Sequence, residues 1–269
     1  MIENTLWTEL FRPKTLDGYI GNEFLINKVK QYIETQDVPH LLFYNTHPGV
    51  GKTTLVKIIA NALDADVLYI NASDENSVDV VRDKIKSFAS TMGFSKWKII
   101  ICDEFDFFTI NGQAALRNIM ESFSNTTRFL ITCNFVEKLL PAIRSRCQEF
   151  EIHPPDKKSV AIRLKKILDD SNIKYELKDL VHIIDTAYPD IRKVINIAQH
   201  CTINNQLTIN KDEKIRLSYM DDVLTELKSA GCEVINLGFC CSGNCHALAR
   251  KLQHRFRRRT STCNDADPE

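Results

Sequence analysis

No apolar run in this 269-residue chain approaches the ~20 residues that a membrane-crossing helix needs, so a membrane-spanning protein is not the reading. A basic-then-apolar leader is also missing from the N-terminal residues, which makes a cytoplasmic protein the expectation. Neither sign of charge dominates: 35 Lys and Arg stand against 35 Asp and Glu, so the whole-chain balance points to no partner and local clusters must be read instead. Internal repeats are absent. So are paired C-x-x-C knuckles, although there are nine cysteines. Four of these, Cys102, Cys133, Cys147 and Cys201, lie scattered in apolar or mixed segments and read as small buried hydrophobes in a reducing compartment.

What is present suits a globular protein. Hydrophobic residues make up 43% and charged residues 26%, enough for a real core in one large or two modest domains. In "NEFLINKVKQYIE", Leu25, Val29, Tyr32 and Ile33 recur at helical spacing. Short apolar runs, "HLLFY", "ADVLYIN", "WKIIICDEF", "TRFLITCN" and "QEFEI", alternate with helical patterns such as "KTTLVKIIANAL", "SVDVVRDKIKSFAS" and "GQAALRNIMESF". The second of these helices is expected to be capped by Ser77 or Asp79. Strand and helix in alternation predict an α/β fold: a parallel five-stranded sheet with helices on both faces, over residues 1–153. Pro154 and Pro155 mark a change of style. Residues 154–214 read as a small helical domain without convincing strands, with Val160, Leu164, Ile167 and Leu168 on one helix face. Residues 215–269 form a third, atypical segment.

The chemistry begins at "YNTHPGVGKTT", Tyr44 to Thr54, which lies between a strand and a helix. That is the setting of a phosphate-binding loop, G-x-x-x-x-G-K-[ST], with Thr46 where the opening glycine belongs. Thr46, Pro48, Gly49, Val50, Gly51 and Thr54 would shape the loop around the phosphates. Gly49 and Gly51 let backbone N–H groups turn inward, and the helix N-terminus adds its positive end. Lys52 would reach the β- and γ-phosphates, and the Thr53 hydroxyl would hold Mg²⁺. About 50 residues on, in the span that a second strand end occupies in such sheets, "IIICDEFD" ends its apolar run in Asp103 and Glu104. Asp103 would steady the hydrated metal and Glu104 would orient the attacking water. Asn134 ends the strand "FLITCN", where an amide can meet the γ-phosphate or the water. Arg146, in "SRC", could enter a neighbour's site or serve as a surface salt-bridge residue. ATP and Mg²⁺ are the implied cofactors.

These segments, with "LWTELFRPKTLDGYIGNE", "NASDENSVDVVRDKIKSFAS", "LPAIRSRC" and "DIRKVIN" in this order, resemble the small subunits of sliding-clamp loaders. These are the replication factor C small-subunit-like AAA+ ATPases, and the resemblance is strongest to the clamp-loader subunits of tailed bacteriophages. It covers about residues 1–215. It implies an ATPase that opens a sliding clamp and places it on primer–template DNA. The partners would be copies of the chain and a distinct subunit in a pentamer. By the same resemblance Arg12 and Pro13 lie near the adenine, Asn134 is sensor 1, Arg146 is the finger acting in trans, and Arg192 reaches ATP from the helical lid. Ser77, Val78, Arg82 and Lys86 face the DNA backbone, and Gln113 couples DNA contact to the ATP site. At 100° per residue Arg82 and Lys86 share a helix face and Lys84 turns away. Another AAA+ machine, such as a branch-migration motor or an initiator-like loader, and a non-catalytic structural subunit are the competing readings.

Only 55 residues follow Lys214, and they do not match the collar that the resemblance implies. Three readings stand. Cys240, Cys241, Cys245 and His246, with Cys232 or Cys263, could ligate zinc. "RKLQHRFRRR", with six Arg or Lys in ten, could bind nucleic acid or an acidic partner. Or the segment is truncated or out of frame.

Overall fold

Apolar residues that alternate between two faces of a strand need a cover on each face, and the chain supplies both. A computed structural model describes residues 6–75, 78–93 and 95–209, and the structural statements concern these. The cysteine-rich basic segment and its zinc, nucleic-acid and truncation readings therefore lie outside the described residues, as does Ser77.

Five strands, β1 (Leu41–Tyr44), β2 (Asp66–Asn71), β3 (Lys98–Asp103), β4 (Thr127–Cys133) and β5 (Gln148–Glu151), form one parallel sheet in the order β2-β3-β4-β1-β5. The three inner strands are the most apolar, and every residue of β3 is buried. Leu41, Phe43, Ile99, Ile101 and Leu130 point to one face. There they meet α2 (Glu23–Thr35) through Leu25, Val29 and Tyr32, and α3 (Lys52–Ala62) through Leu55 and Ile59. Leu42, Ile100, Phe129 and Ile131 point the other way, onto Ile85 of α4 (Val78–Ser90) and Leu116 and Met120 of α5 (Ile110–Ser122).

Side-chain caps start several helices. Asn22 Oδ1 accepts from Phe24 N at 2.8 Å and Thr109 Oγ1 from Gly112 N at 3.2 Å. Helix α4 starts at Val78, so of the two expected caps Asp79 lies inside the first turn, and Ser77 is outside the described residues. A carboxylate there favours the positive helix end rather than capping it.

Before β5 comes the short α6 (Pro141–Arg144); after it come α7 (Lys157–Asp170), α8 (Leu177–Ala187) and α9 (Ile191–His200). The predicted face of α7, Val160, Leu164, Ile167 and Leu168, is buried. One element was not foreseen: two-residue strands β6 (Thr202–Ile203) and β7 (Gln206–Leu207) pair antiparallel. Asn204 and Asn205 between them both have positive φ, 51° and 58°, the backbone a tight two-residue hairpin requires. The N-terminal α1 (Trp7–Leu10) packs on α9, where Trp7 N donates to Gln199 Oε1 at 2.9 Å. The described residues up to Thr208 group into one compact unit. Among the described residues no helix is long and apolar enough to cross a membrane.

Candidate nucleotide site

The loop after β1 turns on two glycines. Gly49 has φ +70° and Gly51 φ +99°, both in the region L side chains rarely adopt. Space forbids a side chain at Gly49 as well, since a Cβ there would lie 1.8 Å from Asp190 Oδ1. Asp190 is the N-cap of α9, accepting from Lys193 N at 3.0 Å, so the start of α9 rests on the loop. Gly51 is the N-cap of α3, and Lys52 opens that helix. Lys52 Nζ donates to the loop carbonyls of Asn45 (2.8 Å) and His47 (3.0 Å). Burial lowers the Lys52 pKa, and the nearby Arg192 charge acts in the same direction, opposed by Cys133, Asp106 and Asp103.

Asp103, the last residue of β3, is 6% exposed and collects three hydroxyl donors. Thr53 Oγ1 donates to its Oδ1 at 2.9 Å, Thr132 Oγ1 donates to the same oxygen, and Tyr69 OH donates to Oδ2 at 2.7 Å. Burial, and then the bond to Asp103, push the Tyr69 phenol up. Glu104 follows with φ 53°, unusual for a residue of its kind, and donates its N–H to Thr132 Oγ1 at 3.2 Å. Such an outlier next to a cleft carboxylate is typical of a functional turn. Asn134, just beyond β4, donates its N–H to Asp106 Oδ1 at 3.2 Å.

One cleft collects most of the sequence-marked residues. Pro48 to Thr54 form its floor, Asp103, Glu104 and Asn134 come from the strand ends, and Arg12 and Pro13 from the N-terminal segment. Arg192 enters from α9. Thr53 and the Asp103 carboxylate are hard oxygen donors of the kind Mg²⁺ accepts. That ion needs only one or two carboxylates beside phosphate oxygens. Accordingly no cluster of three or more His, Cys, Asp or Glu ligands is needed, and among the described residues none is found.

Other marked residues lie elsewhere. Thr46 is exposed and does not line the cleft. Gln113 is 1% exposed: its Nε2 donates to Phe108 O (3.3 Å) and Lys138 O (3.2 Å), and its Oε1 accepts from Leu140 N (2.8 Å). It ties the start of α5 to the segment leading into α6. Arg146 donates from Nη1 to Ala142 O at 2.6 Å and from Nη2 to Glu121, on the outside of the chain's own cleft. Arg82 and Lys86 are exposed on α4, where Lys84 is held by Glu75 at 2.7 Å.

Among the cleft residues that escaped the sequence reading are Tyr19, Thr132 and Arg163, which line it; Tyr69, which bonds to Asp103, escaped it as well. Arg163 comes from α7 and donates to Phe11 O at 2.6 Å. Thr132, a polar residue directly after the apolar run of Phe129, Leu130 and Ile131, was the one with a visible signal. Cys102, Cys133 and Cys201 are buried and Cys147 half-buried; burial pushes Cys133 and Cys147 up to about 12.

A glycine loop at the end of β1, a Lys-Thr pair opening the next helix and a carboxylate pair at the end of β3 define a P-loop ATPase site, and a family model agrees. Residues 41–154 match the ATPase family associated with various cellular activities (AAA). Over 218 residues the chain is 40% identical to the probable replication factor C subunit 5 of Dictyostelium discoideum, covering 77% of this chain and 62% of that protein. Over 220 residues it is 36% identical to the replication factor C small subunit of Sulfurisphaera tokodaii, covering 79% and 67%. The chain belongs to the replication factor C small-subunit family. It spans 62 to 67% of the length of these two relatives. Among solved structures, the Holliday junction branch migration motor RuvB of Thermotoga maritima superposes with TM-score 0.67 at 18% identity, over 90% of this chain and 85% of that one, a likeness of fold alone.

Proposed function

We propose that the chain is the ATPase subunit of a sliding-clamp loader, binding ATP with Mg²⁺ in the cleft and acting on a clamp and primer–template DNA during replication. The observation that carries this reading is the Thr53–Asp103 contact of 2.9 Å, which joins the phosphate loop to the end of β3 beside Lys52 and Glu104.

In this reading the N–H groups of the glycine loop and Lys52 bind the phosphates, and Thr53 and Asp103 hold Mg²⁺. The ion, when bound, neutralises charge on the phosphate oxygens. Glu104 orients the attacking water and accepts its proton, with Asn134 beside it. Arg192 contacts the phosphates from α9, and Arg12 and Pro13 border the base. Residues 1–153 act as the nucleotide-binding domain and 154–214 as the lid. Arg146 faces outward to complete the site of an adjacent copy, where a guanidinium stabilises the transferring phosphoryl group. Val78, Arg82 and Lys86 on α4, with Ser77 before it, track the DNA backbone without reading bases. Gln113, clamped between α5 and the segment before α6, couples DNA contact to the ATP site. Subunits assemble with a distinct partner into a pentamer.

The experiment is ATPase of the full chain co-expressed with its neighbouring loader subunit, measured with and without clamp and primed DNA. Turnover rising at least tenfold only when both are present is expected. Turnover indifferent to clamp and DNA would remove clamp loading and leave a bare ATPase.

A further inference from the structure

Tyr19 is only 7% exposed, and its hydroxyl has no hydrogen-bond partner in the structure. The ring is held on both edges by glycines. A Cβ on Gly21 would lie 2.6 Å from Cε1, and one on Gly51 would lie 3.1 Å from Cε2 and 3.3 Å from the hydroxyl oxygen. Gly51 is the last residue of the phosphate loop and the N-cap of α3. The ring is thus wedged between the N-terminal segment and the loop, and it lines the cleft.

Packing accounts for the ring but not for its oxygen. Tyr19 belongs to the apolar cluster of Val50, Leu55 and Val56, where phenylalanine would fill the same space. A hydroxyl taken out of water without a partner is unfavourable, so its place here needs a partner that arrives from the cleft. The other unpartnered buried atom among the described residues, His182 Nε2, is on α8, and His182 does not line this cleft. The position also says which end of a ligand is near. Tyr19 follows Gly18, where a Cβ would lie 3.5 Å from Pro13, so it belongs to the N-terminal segment read as bordering the base, and its hydroxyl edge meets Gly51 at the end of the phosphate loop. The hydroxyl therefore lies between the base side of the cleft and the phosphate loop.

We propose that the Tyr19 hydroxyl is a nucleotide contact, donating a hydrogen bond to an oxygen at the ribose–α-phosphate end, which ATP and ADP share. This rests on the reading of the cleft as a nucleotide site.

The test is Tyr19→Phe in the full chain, with equilibrium binding of ADP and ATP and thermal melts with and without ADP. Loss of one hydrogen bond to a ligand predicts affinity reduced about fivefold, equally for ADP and ATP. Removing an unpaired buried hydroxyl predicts that the ligand-free melting temperature is unchanged or higher, while the ADP-induced rise shrinks. Unchanged affinity for both nucleotides would overturn the proposal. So would a loss confined to ATP, which would move the hydroxyl to the γ-phosphate. A lower ligand-free melting temperature with unaltered affinity would make the hydroxyl a structural group and overturn it too. If the wild-type chain bound neither nucleotide, the reading of the cleft itself would fall, an outcome visible before any variant is made.

Discussion

The inner and outer parts of the proposed machinery are built differently. In the cleft, Lys52, Thr53 and Asp103 sit in a dense set of short bonds made within one chain, and Asp103 alone accepts from three hydroxyls. On the outside, Arg146 leans on Glu121, with side chains 32% and 48% exposed, and Arg82 and Lys86 lie on an exposed helix face. Exposed ion pairs contribute little stability, so Arg146 can leave Glu121 for a more negative partner at small cost. The cleft groups are fixed before a ligand arrives, as preorganised electrostatic catalysis requires. In the proposed reading this is a division of labour: the nucleotide-binding groups come from one chain, and the groups assigned to a neighbour or to DNA lie on its surface.

Three substitutions test that division, in falling order of effect. Lys52→Ala should reduce hydrolysis to background, a loss of at least about a hundredfold, read as phosphate release at saturating ATP. Retained turnover would show that the interior is not the reactive centre. Arg146→Ala should leave ATP affinity within about twofold and lower clamp- and DNA-stimulated turnover by up to about a thousandfold, the span attributed to arginine fingers. Weakened ATP binding in that variant would instead place Arg146 with the interior groups. Tyr69→Phe removes one of the three donors to Asp103. The Mg²⁺ concentration for half-maximal ATPase should rise about tenfold, with ATP binding in chelator unchanged, because a group behind a metal ligand tunes the metal and not the base. An unaltered Mg²⁺ dependence would mean that Asp103 is held well enough by Thr53 and Thr132.

Much of the fold was legible because its signals are local. The spacing of Leu25, Val29 and Tyr32 set the buried face of α2, and the continuous apolar character of "KIIICD" set an inner strand. Glycines with positive φ announced the phosphate loop, and "TTLVK" its helix. The hairpin at Asn204–Asn205 was missed because two-residue strands are too short to alternate. Asp79 was one of two candidate caps for α4 because Asp in a first turn and Asp at an N-cap look alike in sequence. Gln113 was legible as a residue of note but not as a buried one: its partners at Lys138 and Leu140 are 25 and 27 positions away.

By itself, then, the sequence determined the order of strands and helices, the phosphate loop and the acidic strand end, since period, glycine and charge act over a few residues. Only the tertiary structure decided which distant segments close the cleft. Arg163 reaches Phe11 across 152 positions, Tyr69 reaches Asp103 across 34, and Tyr19 wedges against Gly51. The physical reason is that such contacts follow from how helices and loops stack on the sheet, and no local pattern of residue types records that stacking.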